Sequence, residues 1–328
     1  MIKKNKFFFE QNVKKINIIP KNVYMTFFDE KILDTEFGKI YNENKNNNPE
    51  YKFHFFTDID CEKFIRENYS FRELICFQEL IPGAYKADFF RLLVLYKNGG
   101  IYIDMGLKLN IKLNEIIKDY KIIIVDDLGL KTDHGNHGGI YNAFMASIPK
   151  HEFIKKCIDK IIQNVFTFNY GKSLWDITGP HTLGEIFNNN YHGLLHEGII
   201  NNDILILSFK KNGENITFDE KILLLGKHNI KNKNELLSKT EKKVNTICNH
   251  YSYLYAKKIV FASLYFGSWL ETSRNYYIDN EGYLTVELKT IDGNYNLCKK
   301  KYEKDIYYYN NNGSFEVIKT KKKVKNKK

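Results

Sequence analysis

The chain has 328 residues, 43% of them hydrophobic, five cysteines and a formal charge of +11. That length is enough for one large α/β domain or two smaller ones, each with a sizeable core. Three classes are disfavoured: no run nears the roughly 20 apolar residues of a membrane span, Phe7–Phe9 is too short an apolar core for a signal peptide, and the cysteines (Cys61, Cys76, Cys157, Cys248, Cys298) form no C-x-x-C pair for zinc or a disulfide framework.

The positive charge invites a nucleic-acid reading until it is located. The last ten residues, "KTKKKVKNKK", carry seven lysines, and removing those seven charges from +11 leaves +4 for the other 318 residues. The body is only mildly basic. The tail, 319–328, reads as a disordered, solvated segment, with non-specific contact to an acidic surface as the alternative. The expected compartment is the cytoplasm.

In chain order, an N-terminal segment (1–15) precedes a first strand, "INIIPKNVYMTF" (16–27), which Pro20 should force onto an edge or into two pieces. A second strand, "YKFHFFTD" (51–58), ends on Asp58. Helical spacing follows in "CEKFIRENY", and again in "ADFFRLLVLYK", which Asn98-Gly99-Gly100 closes. "IYID" (101–104) is the nearly all-apolar kind of strand that parallel sheets bury on both faces. "GLKLNIKL" (106–113) alternates, with Leu107, Leu109, Ile111 and Leu113 on one side. "YKIIIVDD" (120–127) is a further buried strand, "HEFIKKCIDKIIQNV" (151–165) a strongly amphipathic helix and "DILILSF" (203–209) a late strand. Strands alternating with helices predict an α/β sheet covered on both faces. From 276 the turn signals Asn280–Gly282, Asp292–Gly293 and Asn311–Gly313 predict a β-hairpin extension over 276–318.

Three of these strands end on acids: Asp58, Asp104 and the pair Asp126/Asp127. Ligands of open α/β sheets bind beyond the carboxyl ends of strands, so these acids mark a candidate cleft rim. In the helix before Asp104, Ala84, Asp88, Arg91 and Leu95 share one stripe, which sets Asp88 beside Arg91. Spacing alone favours an intrahelical ion pair worth a few tenths of a kcal/mol. The alternative is that both charges face the cleft. In the loop "KTDHGNHGGIYN" (131–142), Asp133, His134 and His137 lack the further ligands of a zinc site and read as incidental.

The block "YKADFFRLLVLYKNGGIYIDMG" resembles the donor-binding segment of the glycosyltransferases with a DXD-type sugar-binding motif, the group that includes yeast initiating mannosyltransferases and bacterial capsular-polysaccharide transferases. Ala87-Asp88, Arg91, Gly99-Gly100 and Ile101–Asp104 carry the resemblance. "IPKNVYMTF", "NPEYKFHFFTD", "GGIYNAFMAS" and "WDITGP" follow in the family's order, so it spans about 16–275. It implies a GT-A type fold: a nucleotide-binding sheet flanked by helices, here with a β-rich C-terminal extension. It also implies transfer of a sugar from a nucleotide-sugar donor, with retention, to a glycan, glycolipid or other hydroxyl acceptor, and leaves peripheral membrane contact open.

By the same resemblance, Asp88 and Arg91 contact the nucleotide, and Asp104 meets the sugar or a divalent cation (Mn²⁺ or Mg²⁺) on the diphosphate. Asn142, Gly179 and Pro180 line the acceptor side, and Trp269 closes over the donor. The departure is Gly106, which stands where a second aspartate would complete D-x-D. If the chain stays extended, Asp104, Gly106, Lys108 and Asn110 share a face, and Lys108 would bring a fixed charge to the diphosphate. Asp126 or Asp127 would otherwise supply a second carboxylate. The missing acid also keeps alive an inactive GT-A domain that only binds glycan or nucleotide.

Overall fold

The computed structural model describes residues 18–127, 138–191, 195–210, 215–226, 250–258, 260–261, 273–301 and 306–319. At its centre is a mixed sheet. β1 (Asn22–Thr26) pairs in parallel with β2 (Lys52–Phe56) on one side and β3 (Gly100–Ile103) on the other. β6 (Phe144–Ser147) runs antiparallel between β3 and β5 (Ile122–Asp127), and β8 (Ile204–Lys210) lies parallel to β5. β1, β2, β3, β5 and β8 therefore point the same way, and their carboxyl ends share one rim. On the edge of β8 away from β5, β7 (Gly198–Ile200) pairs with its first half and β9 (Asn215–Phe218) with its second, and β10 (Lys221–Leu225) carries the sheet on to β4 (Lys108–Leu109).

Alternation along the strands divides the interior into two cores. Tyr24, Tyr102, Ile122, Ile124 and Ile206 face one side. There they meet α2 (Asp58–Asn68), α3 (Phe71–Glu79), α4 (Gly83–Asn98), α6 (Glu152–Phe166), α7 (Pro180–Tyr191) and α8 (Tyr251–Ala256). Val23, Met25, Ile101, Ile103, Val125 and Leu207 face the other, with α1 (Glu36–Asn46) and α5 (Leu113–Ile116). The helix starts are written in the sequence: capping boxes Thr57/Asp60 and Ser70/Glu73 satisfy orphan N–H groups at α2 and α3. In α6, Phe153, Ile154, Cys157, Ile158, Ile161, Ile162 and Val165 form the buried stripe expected of it.

The glycine pair fixes the joint that matters most. Gly99 ends α4 at φ 62°, and Gly100 begins β3 at φ 110°. A Cβ on Gly100 would lie 2.6 Å from the Asn22 carbonyl oxygen, so only glycine lets β3 close up against β1. That joint delivers the chain from the top of α4 directly into the strand that ends at Asp104.

Two expectations need correction. Pro20 neither splits β1 nor sends it to an edge; it precedes the strand, its carbonyl accepting from Asn22 N–H at 2.8 Å, and β1 lies between β2 and β3. The run after Asp104 is not extended. Leu107 N–H donates back to the Asp104 carbonyl at 3.0 Å, closing a turn, and the strand that follows has only two residues, 108–109. Leu107, Leu109 and Leu113 still reach one core.

The C-terminal extension has the hairpins expected of it. β11 (Ser273–Ile278), β12 (Tyr283–Lys289) and β13 (Tyr295–Lys301) form an antiparallel sheet, and β14 (Ile306–Asn311) pairs with β15 (Ser314–Lys319). Ile278, Leu284, Val286 and Leu288 join the same core as α3, α4 and α6. Cys61, Cys76, Cys157 and Cys298 are free thiols, and among the described residues no helix is long and apolar enough to cross a membrane.

Candidate active site

The carboxyl-end rim gathers Asp88, Arg91, Asp104 and Asn142 into one hydrogen-bonded group. Arg91 is 3% exposed, and its Nη2 lies 3.0 Å from Asp88 Oδ1 and 3.5 Å from Asp104 Oδ1. Its Nη1 donates to the Asn142 carbonyl and its Nε to the Ala87 carbonyl at 3.1 Å. The guanidinium plane lies 4.4 Å from the centre of the Tyr102 ring. Burial works against the arginine's charge, but Tyr102, Asp104 and Asp88 outweigh it and raise the pKa. A planar fork with several donors can join two carboxylates and a carbonyl at once, as a lysine could not.

Asp88 is equally engaged. Its Oδ1 accepts from Asn142 Nδ2 at 2.9 Å, and its Oδ2 accepts from Thr178 Oγ1 at 2.9 Å. Burial pushes its carboxyl up to about 6 despite Arg91, Thr178 and Asn142, which favour the charged form. Gly179 borders this node: a Cβ there would stand in ordinary contact, 3.5 Å from Asp88 Oδ2 and 3.4 Å from the Trp175 carbonyl. Pro180 opens α7, and its carbonyl accepts from Ile140 N–H at 3.0 Å.

Asp104 sits where β3 ends. Its N–H donates to the Ala143 carbonyl at 2.8 Å, and its side chain is 21% exposed, against 4% for Arg91 and 12% for Asp88. Of the three charged groups it is the one that meets solvent. Farther along the rim, Lys86 Nζ lies 3.4 Å from Asp58 Oδ2.

Lys108 does not share an extended face with Asp104. The turn after Asp104 breaks the period-2 alignment, and the Lys108 ammonium pairs with Glu43 of α1 at 2.5 Å. Asp126 is fully buried, and neither of its carboxylate oxygens has a hydrogen-bond partner. Asp127 and Glu197 are the charges that act on it. Trp269, Asp133, His134 and His137 lie outside the described residues. Among the described residues no group of three His, Cys, Asp or Glu side chains is placed to hold a metal ion. The cation test therefore rests on Asp104, and one exposed carboxylate suits Mg²⁺ or Mn²⁺, which take most of their ligands from water and phosphate oxygens.

Sequence reasoning missed Thr178, Tyr102 and a Ser173–Asp176–His181 cluster. Asp176 Oδ1 lies 2.7 Å from His181 Nδ1, and Ser173 Oγ lies 2.9 Å from Asp176 Oδ1. The cluster's signal was the polar residues of "SLWDITGPH" (173–181), which lie around a tryptophan and a helix-opening proline. α7 must sit close for these contacts to form. A Cβ on Gly184 would overlap the Gly138 carbonyl oxygen. Gly184→Ala should therefore lower stability by about 1–3 kcal/mol in urea denaturation, because the overlap outweighs the helix-propensity gain of up to about 1 kcal/mol. An unchanged or raised midpoint would show that α7 has slack.

Residues 34–123, which include Asp88, Arg91 and Asp104, match the family described as "Glycosyltransferase sugar-binding region containing DXD motif". The mixed sheet with helices on both faces agrees with the α/β architecture expected from the sequence.

Among curated proteins, the chain is 34% identical over 97 residues to the initiation-specific alpha-1,6-mannosyltransferase of Candida albicans, covering 27% of this chain and 25% of that protein. It is 26% identical over 178 residues to the mannosyl phosphorylinositol ceramide synthase of Saccharomyces cerevisiae, covering 53% and 43%. The chain thus spans less than half the length of these curated relatives. Among solved structures, the PaToxG glycosyltransferase aligns with TM-score 0.41 at 16% identity over 54% of this chain and 70% of that one. The glycosyltransferase domain of the YGT toxin aligns with TM-score 0.31 at 10% identity over 48% and 65%. Similarity at that level adds no weight to fold or activity.

Proposed function

We propose that this chain transfers a sugar from a nucleotide-sugar donor to a hydroxyl acceptor, with retention of anomeric configuration. The observation that carries the reading is Asp104: a solvent-facing carboxylate at the carboxyl end of β3, held by an arginine that is otherwise buried. Such a group is rigid before the donor arrives, which is what electrostatic stabilisation of a reacting centre requires.

The reaction breaks the bond between the anomeric carbon and the diphosphate oxygen and forms one to the acceptor oxygen. Negative charge grows on the leaving diphosphate, and the acceptor proton passes to it on the same face. Asp104 addresses the positive charge that builds on the sugar ring, or holds a divalent cation. A bound cation would supply neutralisation of the diphosphate. Asp88 and Arg91 serve the donor by fixing Asp104 and Asn142, since their own polar atoms are engaged by Ala87, Asn142 and Thr178. Gly179 and Pro180 border the acceptor side.

Calorimetry with UDP and GDP, with and without Mn²⁺, tests this on wild type and Asp104→Ala. The expected result is nucleotide binding that Mn²⁺ strengthens and that Asp104→Ala weakens by roughly tenfold or more. Turnover of a nucleotide-sugar panel, headed by a mannosyl donor because both curated relatives are mannosyl-transferring by name, should fall on the order of 100-fold in the same variant. NMR of the product's anomeric proton reads retention. Failure of the wild type to bind any nucleotide under any condition would sink the proposal.

A further inference from the structure

One feature near the Asp88 node has no part in the chemistry above. Trp175 is half-buried yet belongs to neither core cluster. Its ring meets Tyr251 at 5.6 Å between centroids, tilted by 58°. Tyr251 in turn lies 4.2 Å from the His250 ring and 6.1 Å from that of Tyr85. Tyr85 is anchored by its hydroxyl to the Leu174 carbonyl at 2.8 Å, which fixes the backbone beside Trp175. This wall stands next to the reactive rim. Gly179 lies against both the Trp175 carbonyl and Asp88 Oδ2. Burial first, and then the charge of Asp88, push the Tyr251 hydroxyl up to about 12, so it remains a neutral donor.

A large ring kept out of the core needs a different partner. A second observation lies on the same segment of chain as Trp175. His181 Nε2 is buried without a hydrogen-bond partner, while its Nδ1 is held by Asp176, the residue after Trp175. An orphaned buried nitrogen costs free energy until something meets it. Half-buried aromatic rings, with an unmatched polar atom on the same 173–181 segment, suit one ligand chemistry above others. A pyranose has an apolar face of C–H bonds that lies on the negative face of an aromatic ring, and hydroxyls around its edge that need donors and acceptors.

We propose that Trp175 and Tyr251 form a pyranose-binding platform, the subsite for the acceptor's sugar ring, with His181 Nε2 meeting one of its hydroxyls. The subsite role rests on the transferase reading; sugar binding by the platform does not. The platform selects acceptors that present a hexopyranose, and it leaves nucleotide binding to the Asp104 side of the rim.

Saturation-transfer NMR tests this with methyl α-D-mannopyranoside and methyl α-D-glucopyranoside, on wild type, Trp175→Phe, Trp175→Ala and Tyr251→Leu. At least one glycoside should receive saturation on its ring C–H protons in wild type and in Trp175→Phe. Binding should weaken roughly tenfold in Trp175→Ala and in Tyr251→Leu. Matching far-UV circular dichroism and cooperative urea unfolding certify that the four proteins are folded, and calorimetric affinity for UDP and GDP should be unchanged across them. No glycoside signal in wild type, or an equal signal in Trp175→Ala, overturns the platform. Glycoside binding that depends on Trp175 in a wild type that binds no nucleotide would uphold the platform and overturn the transferase reading instead.

Discussion

Arg91→Ala should be the most damaging single substitution at the site, lowering stability by about 3–5 kcal/mol in urea denaturation, a large part of what holds a domain folded. The loss is not that of one ion pair. Arg91 touches Asp88 at 3.0 Å and Asp104 at 3.5 Å, and donates to the Ala87 and Asn142 carbonyls. Without it, two carboxylates stand close together with no cation between them, one of them buried, and two carbonyls lose a donor. Arg91→Lys should recover only part, because a single ammonium cannot span the same set of oxygens. In Arg91→Met combined with Asp88→Asn, the buried negative charge is removed together with its partner. That pair should regain stability relative to Arg91→Ala and still lose donor binding, since Asp104 has lost its contact with the guanidinium. A midpoint for Arg91→Ala equal to wild type would mean that the guanidinium contributes nothing net. Equal donor affinity in the double variant would detach Asp104 from its support.

The same cluster shows how far the sequence could be read. The stripe Ala84–Asp88–Arg91–Leu95, the glycine pair and the strand ending on Asp104 were legible because each is a local pattern: a helical period, a positive-φ joint, an apolar run with an abrupt stop. The meeting of Asp88 with Asn142 and Thr178 was not, because those partners lie 54 and 90 positions away. No periodicity encodes which loops the sheet brings together. Strand order and the closeness of α7 decide that, and the closeness of α7 depends on a glycine, Gly184, that reads in sequence as an ordinary helix weakness.

Lys108 shows the opposite failure, a local pattern that was real and still misled. Leu107, Leu109, Ile111 and Leu113 do turn towards one core, so the alternation was correctly seen. Alternation reports burial and not extension. A turn at 104–107 followed by a two-residue strand buries the same leucines, while sending Lys108 to Glu43. The helices α1 and α7 escaped notice for a related reason. "EFGKIYNENKN" and "PHTLGEIFNNNY" are rich in Asn and Gly, which weaken helices on their own, and packing against the sheet overrides that preference.

Asp126→Asn should make the protein more stable at pH 8 than wild type, by a margin on the order of 3 kcal/mol larger than at pH 5. Asp126, the penultimate residue of β5, is fully buried beside Ser208 and Ile140, with both oxygens unpartnered. Burial, then the charges of Asp127 and Glu197, push its carboxyl up to about 7 from an ordinary 3.8. A carboxyl raised on folding binds its proton more tightly in the native state. Its stabilising contribution is complete below the unfolded pKa, falls as pH rises from there, and is lost as pH passes the folded value near 7. Asp88, raised to about 6, acts in the same direction. His54 and His151, both lowered by burial, act in the opposite direction. All three are common to the variant, so the difference between the two denaturation curves isolates Asp126. The amide keeps the shape and removes the charge, and the neutral protein then has no ion to keep out of water at alkaline pH. A wild-type minus variant difference that stays flat from pH 5 to pH 8 would mean that Asp126 ionises without cost, and that the end of β5 is wetter than its burial indicates.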